Sequence, residues 1–276
     1  MQQVNIERLL KQDKPVPLSP EEKEYLRTHY LKKHDVIPKW THWFNAAVWG
    51  FQLFTGSALI NSTLFKFMPD WWINMVSELF GTRANLLKYH ILVGIIWSVV
   101  LVVNYLFGIK NYTIPFIRRN FVLDRDDILW LINRGLGILG MKVELPPQGE
   151  YNAGQKLFAM VAIGGIIILI ITGFIMSFHI GSAETVKWAI VFHFIAAGGV
   201  VAGLFVHIFM AAVLWEEHPS LASMITGKVN ELYAYHNHFK WWKEMKKLEL
   251  EVRERERKEY EEKAKEMGLL PEEENN

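Results

Sequence analysis

Apolar residues along this chain gather in four blocks, Trp43 to Ile60, Tyr89 to Phe107, Leu157 to Phe178 and Trp188 to Trp215, instead of recurring with a helical or strand period. Each block is near or above the roughly 20 residues that a helix needs to cross about 30 Å of hydrocarbon. Four such blocks predict an all-α, integral membrane four-helix bundle over residues 41–215. Polar sequence flanks it, an N-terminal arm over 1–40 and a charged tail over 216–276. In the arm, Ser19, Pro20, Glu21 and Glu22 read as a helix start, with a capping serine, proline at the first position and acids against the dipole. That helix is expected to run through Tyr30. The loop from Gly108 to Tyr151 holds an amphipathic stretch, Arg125 to Leu139, suited to the membrane surface or to a partner. From Phe239 to Met267 basic residues alternate with glutamate at helical spacing, which predicts a solvated helix laced with i,i+4 pairs.

Composition fits the membrane class, with 51% hydrophobic and 13% aromatic residues. There is no cysteine, which removes disulfides, cysteine-ligated iron–sulfur clusters and covalently attached c-type haem. A net charge of +1 gives no general attraction to nucleic acid. The first forty residues contain no apolar signal-peptide core, so the first span is expected to direct insertion. Lysine and arginine crowd the arm, from Arg8 to Lys39, and the second loop, from Lys110 to Lys142. The first loop has only Lys66, Arg83 and Lys88, and the third only Lys187. The positive-inside rule then puts both termini and the second loop on the cytoplasmic side of the inner membrane. Trp40, Trp43, Trp71, Trp72, Trp188 and Trp215 suit the interfacial belts.

The chemistry sits in the histidines. His193 and His207 are fourteen residues apart in the last block, so on one helix they face the same way about 21 Å apart. No single metal ion fits that gap, whereas two large cofactors stacked across a bilayer do. By depth, His90 pairs with His193 near the outer side and His42 with His207 near the inner side. A low-spin b-type haem needs two neutral imidazoles on opposite faces of its iron, and intramembrane ionisable groups are functional by default. Gly94, Gly198, Gly199 and Gly203 are candidates for clearance beside a macrocycle, or for plain helix packing. Lys39 and Lys88 are candidate partners for haem propionates. His179 lies just past the third span at the outer surface. His29, His34, His218, His236 and His238 read as solvated, with His236-x-His238 a weak metal signal.

Thr41-His42-Trp43, Tyr89-His90, Tyr151-Asn152-Ala153-Gly154-Gln155-Lys156, the Ala-Gly run between His193 and His207, and Met224-Ile-Thr-Gly227-Lys228-Val229 together carry a resemblance. The stretch from about Lys39 to Lys246 resembles the cytochrome b (gamma) subunit of membrane-bound respiratory formate dehydrogenase, a relative of nickel–iron hydrogenase cytochrome b. The resemblance implies two b haems, on His90 with His193 and on His42 with His207. It also implies a site for menaquinone or another quinone at Asn152, Gly154 and Gln155, beside the inner haem. On residues alone, that hexapeptide reads first as an ordinary helix start, with Asn152 as cap and Lys156 snorkelling. The implied partners are an iron–sulfur (beta) subunit and a molybdenum or tungsten pterin (alpha) subunit on the outer face, where the substrate is oxidised. Electrons would then cross inward to a quinone, with its protons drawn from the cytoplasm. The alternatives are the cytochrome b of a hydrogenase or of a thiosulfate or polysulfide reductase, and a haem-free anchor or transporter.

Overall fold

The computed structural model describes residues 6–60 and 66–267; residues 1–5, 61–65 and 268–276, which include the ends of the expected arm and tail, lie outside it. Most of the described chain is helical. In order come α1 (Ile6–Leu10), α2 (Pro20–Thr28), β1 (Tyr30–Lys32), α3 (Val36–Leu59), α4 (Asp70–Leu79), α5 (Arg83–Phe107), α6 (Ile114–Asn120) and α7 (Arg125–Ile138). Then follow α8 (Ala153–Phe178), α9 (Ala183–Ile208), α10 (His218–Thr226), β2 (Lys228–Asn230), α11 (Glu231–Asn237) and α12 (Phe239–Glu266). β1 and β2 pair in a two-stranded sheet. The chain divides into two compact units, one of residues 32–123 and 154–228, the other of 1–31, 124–153 and 229 onward.

The first unit holds four long helices, α3, α5, α8 and α9. Each starts four to seven residues ahead of its apolar block. Helix starts are set by caps rather than by greasiness: Thr82 Oγ1 accepts from the Asn85 amide, and Ser182 and Thr185 form a reciprocal capping box. Three helices, α5, α8 and α9 with its continuation to Val213, are long and apolar enough to cross a membrane. Few of their residues are buried, and side chains such as Ile167, Ile171, Phe205 and Val206 are exposed, as a lipid-facing surface requires. α3 has 24 residues, but His42, Asn45, Gln52, Thr55 and Ser57 dilute its apolar character. All four helices nevertheless share one core, with Trp49 from α3, Trp97 and Leu101 from α5, Leu169 from α8, and Ala196 and Val200 from α9.

Three polar side chains of α3 are paired across helices, which matters where water is absent. Asn45 Oδ1 accepts from Trp97 Nε1 at 2.7 Å, Thr41 Oγ1 accepts from Asn104 Nδ2 at 2.6 Å, and Gln52 Nε2 donates to the His90 carbonyl at 3.1 Å. In the first loop, α4 packs Val76 against Ala58 and Leu86, and Trp72 donates to Ser57 Oγ at 2.9 Å.

The second unit has its own core: Leu9, Leu26, Leu31, Val229, Tyr233, Ala234, Tyr235, Phe239, Trp241 and Trp242. The Tyr235 hydroxyl donates to the Val16 carbonyl at 3.0 Å and accepts from the Val16 amide at 2.8 Å. Trp242 Nε1 and Lys246 Nζ converge on the buried Glu231 carboxylate at 3.2 and 3.0 Å. The start of α12 is therefore a packed element, and only its later part matches the expected solvated helix, with Leu248, Leu250, Val252 and Tyr260 exposed and Arg253–Glu249 and Lys258–Glu254 paired at i,i+4. His238 is fully buried, not solvated, with Nδ1 2.8 Å from the Gly149 carbonyl. His29 and His236 are exposed; His34 and His218 are half-buried.

The predicted start of α2 is present: Ser19 Oγ accepts from the Glu22 amide and Glu22 Oε2 accepts from the Ser19 amide. Tyr30, expected to end that helix, opens β1 instead. Glu22 is buried, and Arg8 Nη2 donates to both of its oxygens at 2.8 and 2.6 Å. Those bonds hold the Glu22 carboxyl below its ordinary value of 4.5. A lowered folded value means stabilisation that is complete above 4.5 and lost as pH falls through the folded value. The stability gap between the wild type and Glu22→Gln, read by chemical denaturation, is therefore expected at neutral pH and should close in acid. A gap that does not change with pH would contradict this origin.

Candidate functional site

Three helices supply the four histidines: His42 from α3, His90 from α5, and His193 and His207 from α9. All four are half-buried. The His42 and His207 rings lie with centres 6.2 Å apart and planes inclined at 58°. Two collinear metal–imidazole bonds of about 2 Å, with each ring centre about 1 Å further out, separate ring centres by about 6 Å. The observed ring-centre separation matches that figure. His42 Nδ1 is buried without a hydrogen-bond partner among the described residues. His90 and His193 stand on different helices, α5 and α9. Among the described residues no three potential ligands cluster, so a metal held by either pair would bring the rest of its coordination with it, as a macrocycle does.

Neighbouring side chains fix these rings. Thr55 Oγ1 on α3 lies 2.8 Å from His90 Nδ1, and Thr172 Oγ1 on α8 lies 2.8 Å from His193 Nδ1. Phe158 on α8 stacks on His207, with centres 4.8 Å apart and planes at 15°. A Cβ at Gly203 would come within 2.9 Å of that Phe158 ring, so glycine there keeps room for the stack. A Cβ at Gly94 would meet Gln52 Nε2 at 3.1 Å, whereas at Gly198 and Gly199 it would meet nothing.

The Met224 to Val229 segment holds the first turns of α3. Trp43 Nε1 donates to the Met224 carbonyl at 2.9 Å, and Lys39 Nζ to that of Ile225 at 3.2 Å. Gly227 ends α10 at φ +82°, and a Cβ on it would sit 2.7 Å from the His34 carbonyl; only glycine meets both demands. Lys39 thus has a backbone partner, and Lys88 is exposed. His179, just beyond α8, is exposed at φ +50°.

The expected quinone residues stand at the start of α8. Asn152 immediately precedes the helix, and Gly154 and Gln155 lie in its first turn. The amide of Ala153 is capped by Gln148 Oε1 at 2.8 Å. Gly154 and Gln155 are four and three residues before Phe158, so they share its helix face, one turn from the ring that stacks on His207.

Sequence reasoning missed Thr55 and Thr172. Their one signal is a recurring pair, Thr55-Gly56 and Thr172-Gly173, in the apolar blocks that precede His90 and His193 respectively.

A family model described as prokaryotic cytochrome b561 matches residues 33–227. The nitrate-inducible formate dehydrogenase cytochrome b556(Fdn) subunit of Escherichia coli strain K12 is 30% identical over 142 residues, covering 49% of this chain and 63% of that relative. The chain is also similar to the cytochrome b556(fdo) subunit of formate dehydrogenase from the same strain, 24% identical over 232 residues, covering 79% of this chain and 97% of the relative. The formate dehydrogenase cytochrome b556 subunit of Haemophilus influenzae is 26% identical over 225 residues, covering 79% and 85%. An integral membrane protein of apolar helices, the chain belongs to the prokaryotic cytochrome b561 family, a membership that implies haem b.

Proposed function

We propose that α3, α5, α8 and α9 all cross the inner membrane, with both termini inside, and hold two b haems: one between His42 and His207, the other between His90 and His193. The observation that carries this reading is the 6.2 Å separation of the His42 and His207 rings on different helices, joined to a second histidine pair about 21 Å along α9. Haem b supplies reversible one-electron exchange, and the chain serves to pass electrons between an outer-face donor and a quinone at the inner side. His42 and His90 each bring a ligand to the helix that carries the other two. Asn152 and Gln155 offer carboxamide donors to a quinone carbonyl, and Gly154 allows close approach. The position of Gly154 and Gln155 on the face of Phe158, which touches His207, supports that assignment. The similarity to formate dehydrogenase cytochrome b556 subunits supports formate dehydrogenase as the complex, with an iron–sulfur subunit and a molybdenum or tungsten pterin subunit as partners.

The test is the dithionite-reduced spectrum and haem content of the purified protein. Two haems per chain with a b-type α-band are expected. One haem, or none, would refute the two-site reading, and co-purification with hydrogenase subunits in place of these partners would reassign the complex.

A further inference from the structure

Given two haems, the chain treats its four ligand histidines unequally. His90 and His193 each have Nδ1 at 2.8 Å from a threonine hydroxyl on a neighbouring helix, Thr55 and Thr172. The glycine after each threonine borders the same ring: a Cβ at Gly56 would lie 3.4 Å from His90 Cε1, and one at Gly173 would lie 3.6 Å from His193 Cε1. The inner pair differs. His42 Nδ1 has no hydrogen-bond partner among the described residues, and His207 is held by its stack on Phe158.

The position of each proton follows from what each atom can do. Thr55 Oγ1 also reaches the Phe51 carbonyl at 2.9 Å, and Thr172 Oγ1 the Ile168 carbonyl at 2.6 Å. A carbonyl only accepts, so the single hydroxyl proton goes to the carbonyl four residues back. The threonine oxygen then accepts from Nδ1–H of the histidine. With the proton fixed on Nδ1, the lone pair of Nε2 is left for iron. An imidazole that donates from its far nitrogen is also a stronger electron donor to its metal, which favours the ferric state.

Resting on the two-haem reading, we propose that Thr55 and Thr172 are positioning residues of the outer haem site: they fix the tautomer and ring angle of His90 and His193, and they set the outer iron at a lower midpoint potential than the inner one. That ordering favours reduction at the inner side.

The test is spectroelectrochemical titration of the purified wild type and of Thr55→Val, Thr172→Val, Thr55→Ser and Thr172→Ser, with the outer haem identified as the one lost in His193→Ala. In the wild type the outer haem should have the lower midpoint. Each valine variant should raise that midpoint alone, shifting the ferrous-to-ferric ratio several-fold, and about tenfold in the double variant, a tenfold change being 59 mV for one electron. The serine variants, which keep the hydroxyl, should restore wild-type behaviour. Loss of the outer haem in a valine variant, with the serine variant normal, would support the same role. Unmoved midpoints in the valine variants, serine variants that behave like valine, or a higher outer midpoint in the wild type would each overturn it. A wild type without two haems would instead overturn the two-haem reading, and this proposal with it, before any threonine variant is measured.

Discussion

Replacing His193 with alanine is expected to remove one haem and replacing His207 the other, each variant keeping about half of the reduced b-type absorbance. Both residues lie on α9, yet fourteen residues of helix put about 21 Å between them, too far for one iron. The His207 ring lies 6.2 Å from that of His42 on α3, and the proposed partner of His193 is His90 on α5. Losing even an outer-shell partner of a metal ligand costs about 10–100-fold in affinity, and losing the ligand itself should cost more. Double variants sharpen the result. His90→Ala with His193→Ala should lose no more haem than either alone, because both act on one site, whereas His90→Ala with His207→Ala should lose both haems. Haem content and reduced spectra read this directly, with circular dichroism to show that the helices persist. Equal loss of both haems from either single variant, with helicity intact, would contradict the pairing.

Trp242→Ala is expected to destabilise the second unit by about 3–5 kcal/mol, the usual cost of removing a large buried aromatic side chain. Trp242 is fully buried, stacked on Phe239 with centres 5.8 Å apart and set edge-on to Tyr235 at 5.0 Å. Its removal leaves a cavity and takes one donor from the buried Glu231 carboxylate, which then relies on Lys246. Against a typical total stability of about 5–15 kcal/mol, that is a large fraction. Tyr260→Ala on the same helix is the control: the side chain is 71% exposed, and its loss should fall within about 0.5 kcal/mol. Trypsin susceptibility over residues 229–267 along a urea series measures both. Equal susceptibility of the two variants would refute the assigned core.

What could be read from the sequence followed physical visibility. A greasy block announces that a helix is present but not where it begins, because Thr82 and Ser182 set the starts outside the apolar run. The amphipathic stretch from Arg125 was visible, and α7 runs Arg125–Ile138 behind a capping Asp124. The packed beginning of α12 was hidden by its surroundings, since Phe239, Trp241 and Trp242 occupy a few positions at the head of a long charged helix, and their partners Leu9, Leu26 and Leu31 lie over two hundred residues away. The spacing of His193 and His207 was legible because both belong to one helix. Thr55 and Thr172 were not, because each acts through a histidine on another helix, and threonine in an apolar block usually bonds only its own backbone.

The second unit draws on the first thirty-one residues, a middle stretch and the segment from Val229, and this constrains biosynthesis. Val16 must wait for Tyr235, 219 positions later, and the Gln12 carbonyl for Lys243, 231 positions later. At a translation speed of about 5–20 residues per second, the arm stays without its core for roughly 10–40 seconds. During that interval Leu9, Leu26 and Leu31 offer apolar surface to chaperones, and the apolar helices between them and Tyr235 are synthesised first. Any message truncated before Val229 yields a chain whose arm lacks every core partner that the segment from Val229 to Trp242 supplies.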